Sequence, residues 1–326
     1  MKTKWFKMFL LILTTCFSWE CRKDRQVDCI NPLISAAIPY SQPVWHPSGK
    51  SFVFNYSPVA KPYKLGSPPC VFWGNDFYPD SVGLYFMNAD GTSLKFLSRY
   101  TMFGVAWSPD GNWLAFSFGD QIYKIPCSSS GLDSARLIQL TDSGKNFNPN
   151  WSTEGDTIFY DSGNDLPAGN YFSSIWKMAS DGSGKKMIRQ PNDTAFEENP
   201  IVGTDNRIYF VRISLPDGAQ IFSMNKSGSD VKQITFMTST SFQYYHRYFN
   251  GNVFYYDAGY LCSTPTTVYA PRKLLKIDDV DDFDITPNGL IICTVGGFAV
   301  SDPRYGTFWT AGADGRDTTQ LTFNHY

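Results

Sequence analysis

Val105 to Phe116 reads VAWSPDGNWLAF. Two short, continuous apolar stretches flank Pro109-Asp110-Gly111, as strands buried on both faces and bounded by turn signals do. A Gly after Asp or Asn between such stretches marks a tight turn, because the turn needs φ > 0 where only small residues are comfortable. The same order returns along the chain, as PVWHPSGKSFVF from Pro43, NWSTEGDTIFY from Asn150 and PIVGTDNRIYF from Pro200. Weaker copies are YFNGNVFY from Tyr248 and ITPNGLIIC from Ile285. The turn residue of each copy is Gly49, Gly111, Gly155, Asn206, Gly251 and Gly289. Successive anchors lie 62, 44, 51, 45 and 38 residues apart, with 37 residues after the last. A period near 45 is that of a four-stranded propeller blade, and six units predict six blades.

Each unit has a second half. An aromatic strand runs into a turn at Leu84-Tyr85-Phe86-Met87 before Asp90-Gly91, Ile175 to Met178 before Asp181-Gly182, and Ile221 to Met224 before Ser227-Gly228. Ile122 to Ile125 before Ser130-Gly131 and Phe308-Trp309 before Asp314-Gly315 follow suit. A closing strand then begins at Leu140-Thr141, Ile234-Thr235 and Leu321-Thr322, and Lys273 to Ile277 fills that place in the degenerate fifth unit.

Taken together, these residues resemble the repeats of TolB-like propellers, a branch of the WD-type propellers. Trp107-Ser108-Pro109-Asp110-Gly111 is the complete motif, with near matches at Trp45 to Gly49 and Trp151 to Gly155. The resemblance covers residues 36–326 and implies an all-β protein with six four-stranded blades. It implies little about activity, because one propeller fold carries scaffolds, receptors and enzymes.

Composition agrees. Aromatic residues make up 17% of the 326, and 26 Gly with 20 Pro supply the turns an all-β chain needs. The net charge is −2, with no basic excess to neutralise phosphates, so nucleic acid is not an expected partner. Lys2, Lys4 and Lys7 precede the short apolar run Met8 to Thr15, too short for a membrane span and typical of an export signal. Leu13-Thr14-Thr15-Cys16 resembles a bacterial lipobox, with Thr15 where such signals carry a smaller residue, and makes Cys16 the lipidation candidate. Secretory cleavage after Ser18 and an uncleaved anchor are the alternatives. The expected organisation is a signal peptide over 1–18, a tether over 19–35 and the propeller over 36–326. The protein is then periplasmic or attached to the outer membrane, and touches membrane through the lipid alone. The seven cysteines, at 16, 21, 29, 70, 127, 262 and 293, match no zinc spacing. Cys293, within the apolar Leu290 to Cys293, is expected to be a buried free thiol.

Strand order fixes which loops share a face. The turns after the first and third strands of each unit lie on one face. The connections after the second and fourth strands lie on the other, and the longer of these are aromatic. Residues 55–82 hold Trp73, Asp76 and Tyr78, with Asp161, Asp165 and Tyr171 in 161–174. Tyr260 lies in 257–267, and Asp302, Arg304 and Tyr305 in 294–306. This face is the candidate binding surface, since long loops on a rigid scaffold carry most recognition. The plainer reading of Trp73, with Phe72 and Phe77, is that it folds the long insertion back onto blade one, since an insertion this long must bury something to stay ordered. Trp45, Trp107, Trp151 and Trp176 recur in register and are expected between blades. Gln42, Gly104, Asn148, Asn199, Tyr244 and Asp282, seven residues ahead of each anchor, should line a mostly uncharged channel that holds water, or a cation if Asp282 and Asp284 point inward.

No G-x-S-x-G elbow is present in these residues, so a hydrolase domain is not expected within them. His46, His246 and His325 occupy non-equivalent places and do not form a metal motif, and Asp278 to Asp282 lack the spacing of a calcium loop. The expectation is a cofactor-free, monomeric binding module for an envelope protein or glycan. The alternative is a polysaccharide hydrolase or lyase using Asp76, Asp161 or Asp165, which would require paired carboxylates in a cleft.

Overall fold

The structure is a computed structural model that describes residues 38–67, 70–165, 171–189, 195–214, 218–237, 245–276, 282–295 and 302–324. The leader, the tether and Cys16 lie outside these residues, as do Tyr244, Asp278 to Asp281 and His325.

Six antiparallel sheets follow one another, each with its strands side by side in chain order. Blade one is Tyr40–Trp45, Ser51–Tyr56, Gly83–Asn88 and Lys95–Ser98. Blade three is Lys145–Trp151, Thr157–Asp165, Tyr171–Ala179 and Lys186–Arg189. Blade six, ending at Thr319–Gln320, repeats the plan. The first strands of neighbouring blades touch in sequence, and that of blade six, Phe283–Ile285, meets Tyr40–Trp45. The protein is therefore a closed six-bladed β-propeller with the first strands innermost.

All six anchors take the left-handed backbone that the turn reading requires, from φ 64° at Asn206 to φ 82° at Gly289. Trp45, Trp107 and Trp151 are buried between blades as expected, and Trp176 is partly buried. Trp107 and Trp151 donate Nε1–H to the carbonyls of Val44 and Ala106 in the preceding blade, at 3.4 and 3.3 Å. The Leu-Thr pair of the closing strands has a cause too. Leu140 and Ile234 are buried, while Thr141, Thr235 and Thr322 each accept the backbone N–H of the third strand at 2.8 Å through their hydroxyls. Closure between blades six and one is aromatic: Tyr40, Phe52 and Phe54 pack on Phe308 and Ile292. Cys127, Cys262 and Cys293 are buried free thiols, and burial pushes Cys293 up to about 12.

Two expected loops are strands instead. Within 55–82, Val59–Ser67 pairs with Cys70–Phe77 as a hairpin arm of blade one. In blade three the second and third strands simply run on, pairing as far as Asp165 opposite Tyr171. Backbone groups that leave the sheet still need partners, and continued pairing supplies them. The third expected loop is absent: Asp257 and Tyr260 flank a two-residue turn at Ala258-Gly259, and Tyr260 begins the next strand.

Candidate functional site

The channel is built from bulges. Gln42, Gly104, Asn148 and Asn199 all have φ between 50° and 54°, and at each the ladder to the second strand skips register. A bulge turns one backbone N–H out of its own sheet, and the neighbouring blade receives it. Asn199 donates its N–H to Asp161 Oδ1 at 2.8 Å and Asn148 to Ser117 Oγ at 3.2 Å. Gln42 closes the ring by donating to Asp282 Oδ2 at 2.9 Å. Between blades one and two, Asn55 plays this part by pairing with both the N–H and the carbonyl of Met102.

One step further along the first strands, Asn150 Oδ1 accepts the N–H of Val202 at 2.9 Å, and Asp284 Oδ2 accepts that of Trp45 at 2.7 Å. Arg247 Nε donates to Asp284 Oδ1 at 2.6 Å. Asp284 does face the wall of the channel, and the cation beside it is the Arg247 guanidinium. The opening, roughly 270 Å³, is lined by Gln42, Asn148, Asn199, Tyr245, Arg247 and Asp282 among others. The expected polar lining is present, and the ionic side chains sit on the blade five and six side.

Asp161 is not a surface residue. It is 2% exposed, and its Oδ1 also accepts Asn148 Nδ2 at 2.9 Å. Burial first, and then the nearby Glu198 charge, push its carboxyl up to about 7, against the pull of those two hydrogen bonds. Glu198 is raised as well, chiefly by burial, and accepts the Ser173 hydroxyl at 3.0 Å. Its neighbour Glu197 is fully buried and faces Arg189 and Arg212 at 2.8 and 2.7 Å. His246 is buried, and burial depresses it to about 3, so the ring is neutral at physiological pH. The Tyr209 backbone lies near it but outside hydrogen-bonding geometry. His46 packs edge-on to Trp107 at 4.8 Å, and its Nε2 lies 3.1 Å from the Gly111 carbonyl, a bridge on the turn face. No group of three or more metal-ligating side chains occurs among the described residues.

The remaining candidates spread over the long-loop face. Trp73 lies opposite Lys64 in the hairpin arm, and Asp76 and Tyr78 are exposed at its base. Asp165 and Tyr171 end the blade-three arm as a facing pair. Arg304 is held by both oxygens of Asp302, at 2.9 and 2.7 Å, and Tyr305 is half-buried beside it. Tyr260 lies within blade five, under the Lys273 ammonium at 4.1 Å. Sequence reasoning missed Tyr100, Phe103 and Phe118, each at least half exposed at the long-loop ends of blades one and two. The available signal was position: Phe118 directly precedes the two-residue turn Gly119-Asp120, where no longer strand covers it.

No family model matches the sequence, and no curated protein does. Solved structures share the fold. TolB from Acinetobacter baumannii superposes with a TM-score of 0.57 at 18% identity, over 83% of this chain and 63% of that one. An oligogalacturonate lyase from Vibrio parahaemolyticus gives 0.55 at 12% identity, over 89% and 78%. A puromycin-hydrolyzing peptidase of Mycobacterium tuberculosis gives 0.57 at 10%, over 90% and 55%. The chain spans less than two thirds of that TolB, and at such identities the likeness establishes the propeller alone.

Proposed function

We propose that this propeller is a non-catalytic binding module of the cell envelope that recognises a protein or glycan through its long-loop face. The observation supporting this most is the asymmetry of that face. Exposed Tyr78, Tyr100, Phe103 and Phe118 stand there beside two hairpin arms, whereas the Asp161 carboxylate is turned inward to hold blades three and four together. Aromatic side chains offer large contact area at low entropic cost, which suits recognition. The leader adds export, with Cys16 as the lipid anchor. The TolB likeness fits a binding role, while the lyase and peptidase likenesses keep a second reading in view. That reading has one specific support, the adjacent Asp161 and Glu198 carboxyl groups, and against it stands the enclosure of Asp161.

The test is a pull-down from envelope extract with wild type and with Trp73→Ala, Tyr78→Ala and Tyr305→Ala, each checked for folding by circular dichroism. Truncating an aromatic anchor commonly costs about 2 kcal/mol, roughly a thirtyfold loss of affinity. The turn-face variants Asp90→Ala and Asp181→Ala should retain the partner. Loss confined to those two would reverse the assignment of faces. Polysaccharide turnover abolished by Asp161→Asn would replace binding with catalysis.

A further inference from the structure

Of eleven large apolar side chains exposed among the described residues, eight fall between Tyr78 and Ile138, so the exposed apolar surface is concentrated on blades one and two. Its centre is the outer seam between these blades. In blade two the fourth strand is split into Gly131–Leu132 and Ile138–Gln139 around a single 3-10 turn, Ser134–Arg136, and the chain bows outward there. The bow opens a groove of about 540 Å³ over a floor of Met102, Phe116 and Ile125, rimmed by Tyr100, Phe118 and Leu137. Toward the turn face the two blades are tied by Lys95, whose Nζ donates to the carbonyls of Ser129 and Ser130 at 3.0 and 2.7 Å. The other end lies open beside Tyr100 and Phe118, whose rings meet edge-on at 5.8 Å.

Two further features tell what fits. Lys95–Ser98 is the last strand of the blade-one sheet, so no strand is hydrogen-bonded to one edge of its backbone. An open edge next to an apolar pocket is the arrangement by which extended peptides add a strand and seat alternate side chains. The second feature is charge. Arg99, directly after that strand, is exposed and lies over the Tyr100 ring at 5.8 Å, with no carboxylate partner among the described residues. Arg136 on the far rim is already paired with Asp133 at 2.7 Å. The groove mouth thus carries one uncompensated positive charge. An apolar floor offers a glycan no hydrogen bonds, and an acyl chain has no use for a strand edge.

We propose that the seam of blades one and two docks an extended acidic peptide, which pairs with the outer edge of Lys95–Ser98. Its apolar side chain enters the groove and its carboxylate meets Arg99. This site shares Tyr100 and Phe118 with the long-loop face but uses neither of its arms.

The experiment selects random dodecapeptides on the purified protein by phage display and measures the enriched sequences, synthesised with a fluorophore, by anisotropy. The expected sequences have apolar residues two apart and an Asp or Glu beyond them. Leu137→Asp should weaken binding at least tenfold and Arg99→Glu at least fivefold, with Arg99→Lys restoring part of the loss. Both positions are exposed, so melting temperatures should not move. Hydrogen exchange should show new protection within residues 95–98 on binding. Peptides that bind wild type and Leu137→Asp equally, or an absence of enriched peptides, would overturn the proposal. So would binding of lauric acid, of phosphatidylglycerol vesicles or of a second copy that is lost in both variants without protection at 95–98. Trp73→Ala, Tyr78→Ala and Tyr305→Ala should leave peptide binding intact, so this site and the long-loop reading can fail independently.

Discussion

Asp161→Asn should make the protein more stable at pH 8, with an advantage that shrinks steadily as pH falls toward 4. The Asp161 carboxyl is lifted from 3.8 to about 7, mainly because it is buried and secondarily because Glu198 carries charge nearby. A folded-state value above the unfolded one means that the native protein binds more protons between about pH 4 and pH 7. Stability therefore falls as pH rises through that window and levels off above it. A shift of about three units corresponds to about 4 kcal/mol once the group is fully ionised. An asparagine keeps an oxygen for the Asn199 N–H and the Asn148 amide, now 2.8 and 2.9 Å from Oδ1. It brings no charge toward Glu198. For a domain of this size about 4 kcal/mol is worth roughly 8 °C in melting temperature. Thermal and urea unfolding of wild type, Asp161→Asn and Asp161→Ala from pH 5 to 8.5 provide the assay. The alanine removes the acceptor and leaves a buried N–H unpaired, so it should be destabilised throughout. If Asp161→Asn is less stable than wild type at pH 8, or its advantage does not change with pH, the account of this clamp is wrong.

Other consequences are simpler. Gly111→Ala should cost more than Gly155→Ala in urea unfolding, although φ is 71° and 79°, because an added methyl would lie 2.3 Å from His46 Nε2 in the first case and 3.5 Å from Pro109 in the second. Adding His46→Ala should narrow the gap. Thr235→Val removes the hydroxyl that accepts the Ile221 N–H and donates to Gln220, both inside blade four, and should cost about 1–3 kcal/mol by chemical denaturation. Arg247→Met strands the Asp284 carboxylate in the channel wall and should cost about 3 kcal/mol, much of it recovered by adding Asp284→Asn. Intact-mass measurement of the membrane fraction should find a chain beginning at Cys16 with a lipid-sized increment; a cytosolic chain still beginning at Met1 refutes export.

The repeat was legible because each blade must solve the same local problem. A left-handed residue at 49, 111, 155, 206, 251 and 289 reverses the chain, and a tryptophan four residues before each of the first three anchors fills the space between blades. Those requirements act over a few residues, so they are written in the chain as a period. The arms were hidden for the opposite reason. Nothing in Lys61 to Phe77 or Asp161 to Tyr171 distinguishes a loop from two strands that continue past the end of a blade, since the choice depends on whether a partner strand keeps pace. The place of Asp161 was hidden on the same point. Asp161 takes the place of Asn55 and Ser117 in the second strands, yet alignment of these three would show only three small polar residues. What gives them a shared meaning is the next blade, whose backbone N–H, freed by the bulge at Asn199 or Asn148 or standing ahead of the strand at Met102, needs an acceptor there. A carboxylate in this family of positions is first a blade-to-blade fastener, and only a residue outside the series can be free to meet a ligand. Arg99, which follows the last strand of its blade and answers to no neighbour's backbone, is such a residue.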